Sequence, residues 1–285
     1  MTTLAFPLLE PAIDTLAEWI ARHPRLFVLT GAGCSTASGI PDYRDRDGAW
    51  KRSPPVTIQA FTGNKATYRR YWARSFVGWP RIDAAEPNAA HHALASLQRA
   101  GRLSALVTQN VDGLHQRAGS RDAIDLHGRL DQVVCLGCDA RIARDALQQR
   151  LLDDNHGWAP SQAEHAPDGD AVIDDDAVAR FRPPACEMCG AMLKPDVVFF
   201  GENVPRARYE QAVAALHDAD ADAMLVAGSS LMVYSGFRFA RMAQAAGRPL
   251  AIINRGRTRA DELAELKVDA DVGAVLQAVM DRYGA

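Results

Sequence analysis

The sequence is short of several things, and each shortage excludes a class of protein. No segment of the 285 residues approaches the roughly 18 consecutive apolar residues that a membrane-crossing helix requires, so no membrane partner is expected. The opening stretch MTTLAFPLLEPAIDTLAEWI has no basic leader before its apolar residues and carries Glu10, Asp14 and Glu18, which points away from an export signal and towards a cytoplasmic chain. An excess of charge is also missing: 32 Lys and Arg stand against 35 Asp and Glu, a net charge of -3, so no general field draws the protein to nucleic acid and direct binding to it is not expected. Cysteine is scarce, with five in all, and without an export signal a disulfide framework is disfavoured. Internal repeats and low-complexity tracts are absent. What remains is a chain with 48% hydrophobic residues, long enough to bury a sizeable core as one large domain or two modest ones.

Four places show one pattern, a short apolar run turning abruptly into small and polar residues. They are RLFVLT before Gly31, SALVTQN before Val111, AMLVAGSS ending at Ser230 and LAIINRG ending at Gly256. Runs rich in Val, Leu and Ile suit strands covered on both faces, and the stretches between them include the helix-like segments 89–100 and 205–219. The pattern predicts an α/β fold with a parallel sheet, whose ligands lie beyond the carboxyl ends of the strands. All four polar transitions fall on that edge. Two stretches break the alternation: 45–83, rich in aromatics and arginines and read as mostly helical, and 132–193, which holds four of the cysteines and an acidic segment, 168–176, read as solvated loop. Both read as insertions that form a smaller second lobe. The expected division is therefore 1–44, 84–131 and 194–285 for the large domain, and 45–83 with 132–193 for the small one.

Gly31-Ala32-Gly33 after a strand lets backbone N–H groups approach a phosphate at a helix start. Alone it is a weak signal, because Thr36 stands where a dinucleotide fingerprint has its third glycine, and about 20 residues on, where a ribose-binding acid is expected, stand Lys51 and Arg52. The polar and aromatic loop Ser38-Gly39-Ile40-Pro41-Asp42-Tyr43-Arg44 that follows could close over a ligand. Gln109, Asn110 and Asp112 offer amides and a carboxylate suited to a carboxamide or ribose hydroxyls, although helix capping also uses such groups. His127 lies between this strand end and the cysteine region, a place that favours a catalytic role over a purely structural one. Cys135-x-x-Cys138 and Cys186-x-x-Cys189 are two matched pairs, which favours four thiolates on one tetrahedral zinc over a redox dithiol. Four sulfurs leave no open position, so the metal is structural.

Taken together, GAGCSTASGIPDYR, TQNVDGLH, the LHG at 126–128, the CxxC pairs, KPDVVFFGE from Lys194 to Glu202, AGSSL and INRG resemble the sirtuin (Sir2) family of NAD-dependent protein deacylases. RRYWARSFVGWP (69–80), APDGD (166–170) and KPDVVFFGE are similar to its class II branch. The resemblance implies a Rossmann-like NAD domain and a smaller zinc-bearing domain, with NAD meeting an acyl-lysine protein or peptide in the cleft between them. It assigns Gly31, Ala32, Gly33, Cys34, Ser35, Thr36, Gly39, Ile40, Pro41, Asp42, Tyr43 and Arg44 to the phosphates and the nicotinamide-side loop. Gln109, Asn110 and Asp112 would serve the nicotinamide ribose and carboxamide. Gly228, Ser229, Ser230, Asn254, Arg255 and Gly256 would line the adenosine side, with a backbone contact from Val272. Val198, Phe199, Phe200 and Gly201 would pair with the substrate peptide by strand addition.

The implied reaction starts with attack of the acyl oxygen of the modified lysine on C1′ of the nicotinamide ribose. Nicotinamide leaves and an alkylamidate forms. His127, with Asn110 beside it in the catalytic set, then acts as general base so that the 2′ oxygen can attack, and the acyl group departs as O-acyl-ADP-ribose. Tyr43 stands where many members carry phenylalanine and keeps an aromatic ring there. Ala49 and Lys51 fall where desuccinylating relatives carry a tyrosine and an arginine, which argues against succinyl-lysine. Cys34 reads as a small packed hydrophobe. Protein mono-ADP-ribosylation with the same NAD site, and a noncatalytic NAD-sensing module, are the alternatives.

Overall fold

The computed structural model describes residues 6–159, 164–166, 170–218 and 220–283. Residues 167–169, within the block at 166–170 and the start of the acidic segment, lie outside the described residues. Among the described residues eleven strands follow one another: β1 (Leu26–Thr30), β2 (Leu103–Thr108), β3 (Ile124–Asp125), β4 (Gly128–Cys135), β5 (Arg141–Ala143), β6 (Glu164–Ala166), β7 (Asp170–Val172), β8 (Leu193–Val197), β9 (Ala223–Ala227), β10 (Leu250–Ile253) and β11 (Leu266–Val268).

Six of them form a sheet in the order β11-β10-β9-β1-β2-β3, every neighbouring pair parallel. The period-2 geometry of a strand sends successive side chains to opposite faces, and here both faces are apolar. Leu26 and Val28 turn one way with Leu106, Leu225 and Ile253, to meet Leu16 and Ile20 of helix Phe6–Arg22 and Val275 and Val279 of helix Val272–Tyr283. Phe27 and Leu29 turn the other way with Met224, Val226 and Ile252, to meet Leu216 of helix Arg206–His217 and Phe239 of helix Tyr234–Ala245. All five residues of β1 are buried, which is why the run carries no polar alternation. Strand order runs outward from β1 to β3 on one side and from β9 to β11 on the other. The β1/β9 boundary is therefore the switch point, where a crevice opens beyond the strand ends.

A second sheet, β5-β4-β8, is antiparallel. The helical insertion packs on it. Phe61 and the aromatic side chains of helix Lys65–Asp83, among them Tyr68, Trp72 and Trp79, share one core with Leu147, Leu151, Phe181 and Leu193. Buried ring polar groups are paired: the Tyr68 hydroxyl donates to Pro184 O at 2.7 Å and Trp72 Nε1–H to Leu193 O at 3.2 Å. Arg144, 1% exposed, lies over the rings of Trp79 and Trp72 at 5.0 and 5.7 Å and donates to Ser75 O, so its buried charge has aromatic and carbonyl partners.

The crossing between the two sheets is short and decides where the site lies. β3 ends at Asp125, Leu126 N–H donates to Thr108 O, and β4 begins at Gly128. Gly128 has φ +82°, and a Cβ there would lie 1.9 Å from Asp196 O of β8, so only glycine lets the backbone turn against that strand. His127 is thus pinned at the joint, between a sheet edge and a glycine. β8 ends at Val197, and of the segment 198–201 only Phe200 makes a further bridge, a parallel one to Thr57.

Candidate active site

A cleft of about 1070 Å³ opens at the carboxyl ends of β1, β2, β9 and β10, lined by all four polar transitions read from the sequence. At the switch point the turns after β1 and β9 interlock. Gly33 N–H donates to Gly228 O at 2.8 Å, and Gly31 N–H to Ala227 O at 3.2 Å. Added Cβ atoms would collide: one on Gly31 comes within 2.7 Å of Ser229 Cβ, and one on Gly228, at φ +68°, within 2.4 Å of Cys34 N. The glycines are thus required by the approach of one turn to the other.

The end of β2 supplies the polar wall. Asn110 Nδ2 donates to Gly31 O at 3.1 Å and to Ser35 Oγ at 2.9 Å, while the Ser35 hydroxyl donates to Asp112 Oδ2 at 2.7 Å. The capping role holds too, since Asp112 Oδ1 accepts from Leu114 N at 2.9 Å. Burial raises the Asp112 pKa, offset in part by the Leu114 amide and the Ser35 hydroxyl. Beneath this wall, His91 Nδ1 accepts from Asn88 N–H in a capping box, which leaves Nε2–H to face Ser35 Oγ at 3.4 Å. His115 Nε2 meets Thr30 Oγ1 at 2.8 Å. Desolvation lowers both rings, to about 4 for His91 and about 3 for His115, so each is neutral at pH 7.

His127 is fixed at both ring nitrogens. Nδ1 lies 3.0 Å from Gln109 O and Nε2 lies 2.8 Å from Ser235 Oγ. A carbonyl can only accept, so Nδ1 carries the hydrogen and Nε2 holds the lone pair, which accepts from the Ser235 hydroxyl. Desolvation lowers the His127 pKa to about 4, against a smaller raising effect of the Gln109 carbonyl, and Arg208 lowers it further. A neutral imidazole with its basic nitrogen facing a cleft can accept a proton near neutral pH.

Most of the residues expected from the sequence come together in the cleft: Gly31, Ala32, Gly33, Ser35, Ile40 to Arg44, Gln109, Asn110, Asp112, His127, Val198 to Gly201, Gly228 to Ser230, Asn254 and Arg255. Five others do not line it. Cys34 is 1% exposed in the core, where burial and the nearby Asp112 and Asp271 push its thiol pKa far up, as a packed hydrophobe requires. Val272, 3% exposed, packs with the helices on the sheet. Gly256 lies against the Arg46 backbone, where a Cβ would approach Arg46 O to 2.3 Å. Thr36 Oγ1 turns back to Gly33 O at 3.1 Å, and Gly39 closes the short helix Thr36–Ser38 with φ 82°. Two features escaped the sequence reading. The Arg44 guanidinium stacks 3.8 Å from the centroid of Trp50, whose ring meets Phe200 edge-on at 5.6 Å, and Ser235 holds His127. Trp50 had the signal of an aromatic after the loop; Ser235 had none beyond its closeness to the β9 transition.

The four paired cysteines converge. Cys135 and Cys189 sulfurs are 3.5 Å apart, Cys138 and Cys186 sulfurs 3.7 Å, and all four lie within 4.8 Å of one another. A tetrahedral zinc with Zn–S bonds of about 2.3 Å sets an S–S edge of about 3.8 Å, so the cluster fits one closed, structural zinc. Among the described residues no helix is long and apolar enough to cross a membrane.

Comparison with known proteins agrees with this geometry. The sequence profile of the Sir2 family matches residues 31–235. An NAD-dependent protein deacetylase of Xanthomonas axonopodis pv. citri (strain 306) is 61% identical over 268 residues, covering 93% of this chain and 91% of the relative. NAD-dependent protein deacetylase 2 of Bradyrhizobium diazoefficiens is 57% identical over 265 residues, covering 93% of this chain and 96% of the relative. Among solved structures, a Sir2 complex with a p53 peptide and NAD+ superposes with a TM-score of 0.73 at 30% identity, over 95% of this chain and 98% of that one. A match that runs through both glycine turns and the cysteine pairs to Ser235, with relatives more than half identical along nearly all of the chain, makes this chain a member of the Sir2 family.

Proposed function

We propose that this chain is an NAD-dependent protein-lysine deacylase that transfers the acyl group to ADP-ribose and releases nicotinamide. The observation that carries the reading is a neutral His127 whose Nε2 lone pair faces a cleft bounded by the two interlocked glycine turns. Deacetylases are the curated relatives, and a Sir2 relative is solved with both a peptide and NAD+.

In this reading the turns 31–36 and 228–230 hold the phosphates, where backbone N–H groups and the absence of Cβ atoms allow close approach. The loop 39–44 covers the nicotinamide end, its aromatic side built by Tyr43 and Trp50 with Arg44 stacked on the latter. Gln109, Asn110 and Asp112, the last two held in place by Ser35, take the ribose and carboxamide. Asn254, Arg255, Gly256 and Val272 serve the adenosine side, Gly256 and Val272 only through their backbone. The segment 198–201, beyond the end of β8, pairs with the peptide as an added strand through those backbone groups that its contacts with His127, Ile58 and Glu202 leave over. Attack by the acyl oxygen displaces nicotinamide, and His127 then accepts the ribose proton that lets the 2′ oxygen take the acyl group. Zinc at Cys135, Cys138, Cys186 and Cys189 supplies folding energy to the small lobe, and no catalytic step passes through it. The division into 1–44, 84–131 and 194–285 against 45–83 and 132–193 places the cleft between the two lobes. A cytoplasmic location without membrane or nucleic-acid partners accords with the charge balance.

Incubation of the purified protein with NAD and a panel of acyl-lysine peptides tests the reading. Peptide-dependent nicotinamide release that is lost in His127→Tyr is the expected result. Nicotinamide release without peptide, with ADP-ribose retained on protein, would contradict it.

A further inference from the structure

The basic nitrogen of His127 is already occupied. Ser235 Oγ lies 2.8 Å from Nε2, and because Nδ1 donates to Gln109 O, that hydroxyl is the donor in the contact. Both partners are anchored by the same residue. Gln109 holds the imidazole through its carbonyl, and its side-chain oxygen accepts from Ser229 Oγ at 2.6 Å. The start of helix Tyr234–Ala245 presses on that same side chain, since a Cβ on Gly236 would lie 2.6 Å from Gln109 Nε2. Glycine at 236 therefore lets the helix sit close enough for Ser235, one residue earlier, to reach the ring. To expose Nε2, the Ser235 hydroxyl would have to turn to another rotamer and give up this hydrogen bond, since the helix start and the imidazole are each pinned. Ser235 and His127 also both line the cleft.

We propose that Ser235 is a proton relay in the acyl-transfer half of the reaction, standing between the ribose hydroxyl and His127. The inference rests on the deacylase reading and on His127 as its base. As the ribose O–H bond breaks, its proton passes to Ser235 Oγ while the Ser235 proton passes to His127 Nε2, and the ribose oxygen forms its bond to the acyl carbon of the alkylamidate, whose C–N π bond breaks with its electron pair going to nitrogen. Serine ends neutral. The imidazolium ends with Nδ1–H donating to Gln109 O and Nε2–H donating to Ser235 Oγ, so both of its protons are accepted. A hydroxyl can both donate and accept, which is the requirement at this position, and alanine can do neither. Cleavage of nicotinamide from the ribose needs no base and lies outside the relay.

The test compares Ser235→Ala, Ser235→Thr and His127→Tyr with the wild-type full-length chain, using acetyl-lysine peptide and NAD. Three quantities are read: O-acetyl-ADP-ribose formation, peptide-dependent exchange of labelled nicotinamide into NAD, and the proton inventory of turnover in mixed light and heavy water. Ser235→Ala should lose about 10- to 100-fold in product formation, at or below the low end of what a positioned proton-transfer group contributes because His127 remains as the base, while exchange stays within about threefold of wild type. The wild-type inventory should curve, as two protons move, and become linear in Ser235→Ala; Ser235→Thr should restore both rate and curvature. A Ser235→Ala enzyme with wild-type product formation, with faster turnover, or with exchange lost in parallel would overturn the relay. If His127→Tyr also turned over normally, the base assignment itself would fall; an inactive His127→Tyr beside an active Ser235→Ala would remove only the relay.

Discussion

At the scale of single residues, the site depends on which nitrogen of His127 carries its proton. The Gln109 carbonyl settles the tautomer, and burial keeps the ring neutral by lowering its pKa to about 4. The sign follows directly. The base acts as neutral imidazole, so product formation is lost only as pH falls far enough to charge the ring. The acid limb of kcat/KM for O-acyl-ADP-ribose formation should therefore have its midpoint well below 6.5, the ordinary histidine value. A pH–rate profile between pH 4 and 8 on a peptide without titrating side chains measures it, and an acid limb centred at or above 6.5 would contradict the burial argument. The placement of Asn110 and Asp112 in the cleft was legible in the sequence because polar residues at the end of an apolar run mark a strand's carboxyl edge, and that of His127 because it lies between that strand end and the cysteine region. Ser235 was not, because YSGFRF opens an ordinary amphipathic helix and only the folded packing of Gly236 on Gln109 brings the hydroxyl to the ring.

At the scale of elements, the two turns at the switch point form one unit. Gly228 combines a left-handed φ of +68° with a Cβ clearance of 2.4 Å to Cys34 N, both of which alanine violates. Gly228→Ala should destabilise the protein by on the order of 1–3 kcal/mol and weaken NAD binding, since relieving the contact moves the backbone of the turn after β1. Thermal unfolding and NAD titration check the two effects; unchanged NAD affinity would mean that the turns do not act together. The strands of the large sheet were legible, because runs buried on both faces lack alternation. The end of β8 at Val197 was not, because VVFF continues an apolar pattern while its backbone leaves the sheet, and Phe199 is buried in the aromatic core with Phe61, Tyr68 and Trp72 instead. Gly256 was assigned through the INRG motif and Val272 through the family resemblance, yet Gly256 lies against the Arg46 backbone and the Val272 side chain in the helical core, which no local sequence signal reveals.

At the scale of the whole molecule, the fold joins a parallel sheet that supplies the glycine turns to an antiparallel sheet stapled by four sulfurs. His127 sits on the short crossing between them. Loss of zinc should loosen the small lobe and, through β4 and β8, the position of His127 and of the peptide segment. About one zinc per chain should be found by elemental analysis, and its removal by chelator should lower both the unfolding temperature and peptide-dependent turnover. A metal-free preparation with full activity and unchanged melting would contradict the structural role. Composition and strand patterning indicated the fold class; the joint between sheets depended on the pairing of Gly128 with Val197, which sets its Cα against Asp196 O, a contact between residues far apart in sequence. The most direct test of the account is mass-spectrometric detection of O-acetyl-ADP-ribose from an acetyl-lysine peptide and NAD. The wild-type chain should give that product, and His127→Tyr that still binds NAD should lose it. Equal product from the two proteins, or none from a folded, zinc-loaded wild type on any acyl-lysine peptide, would contradict it.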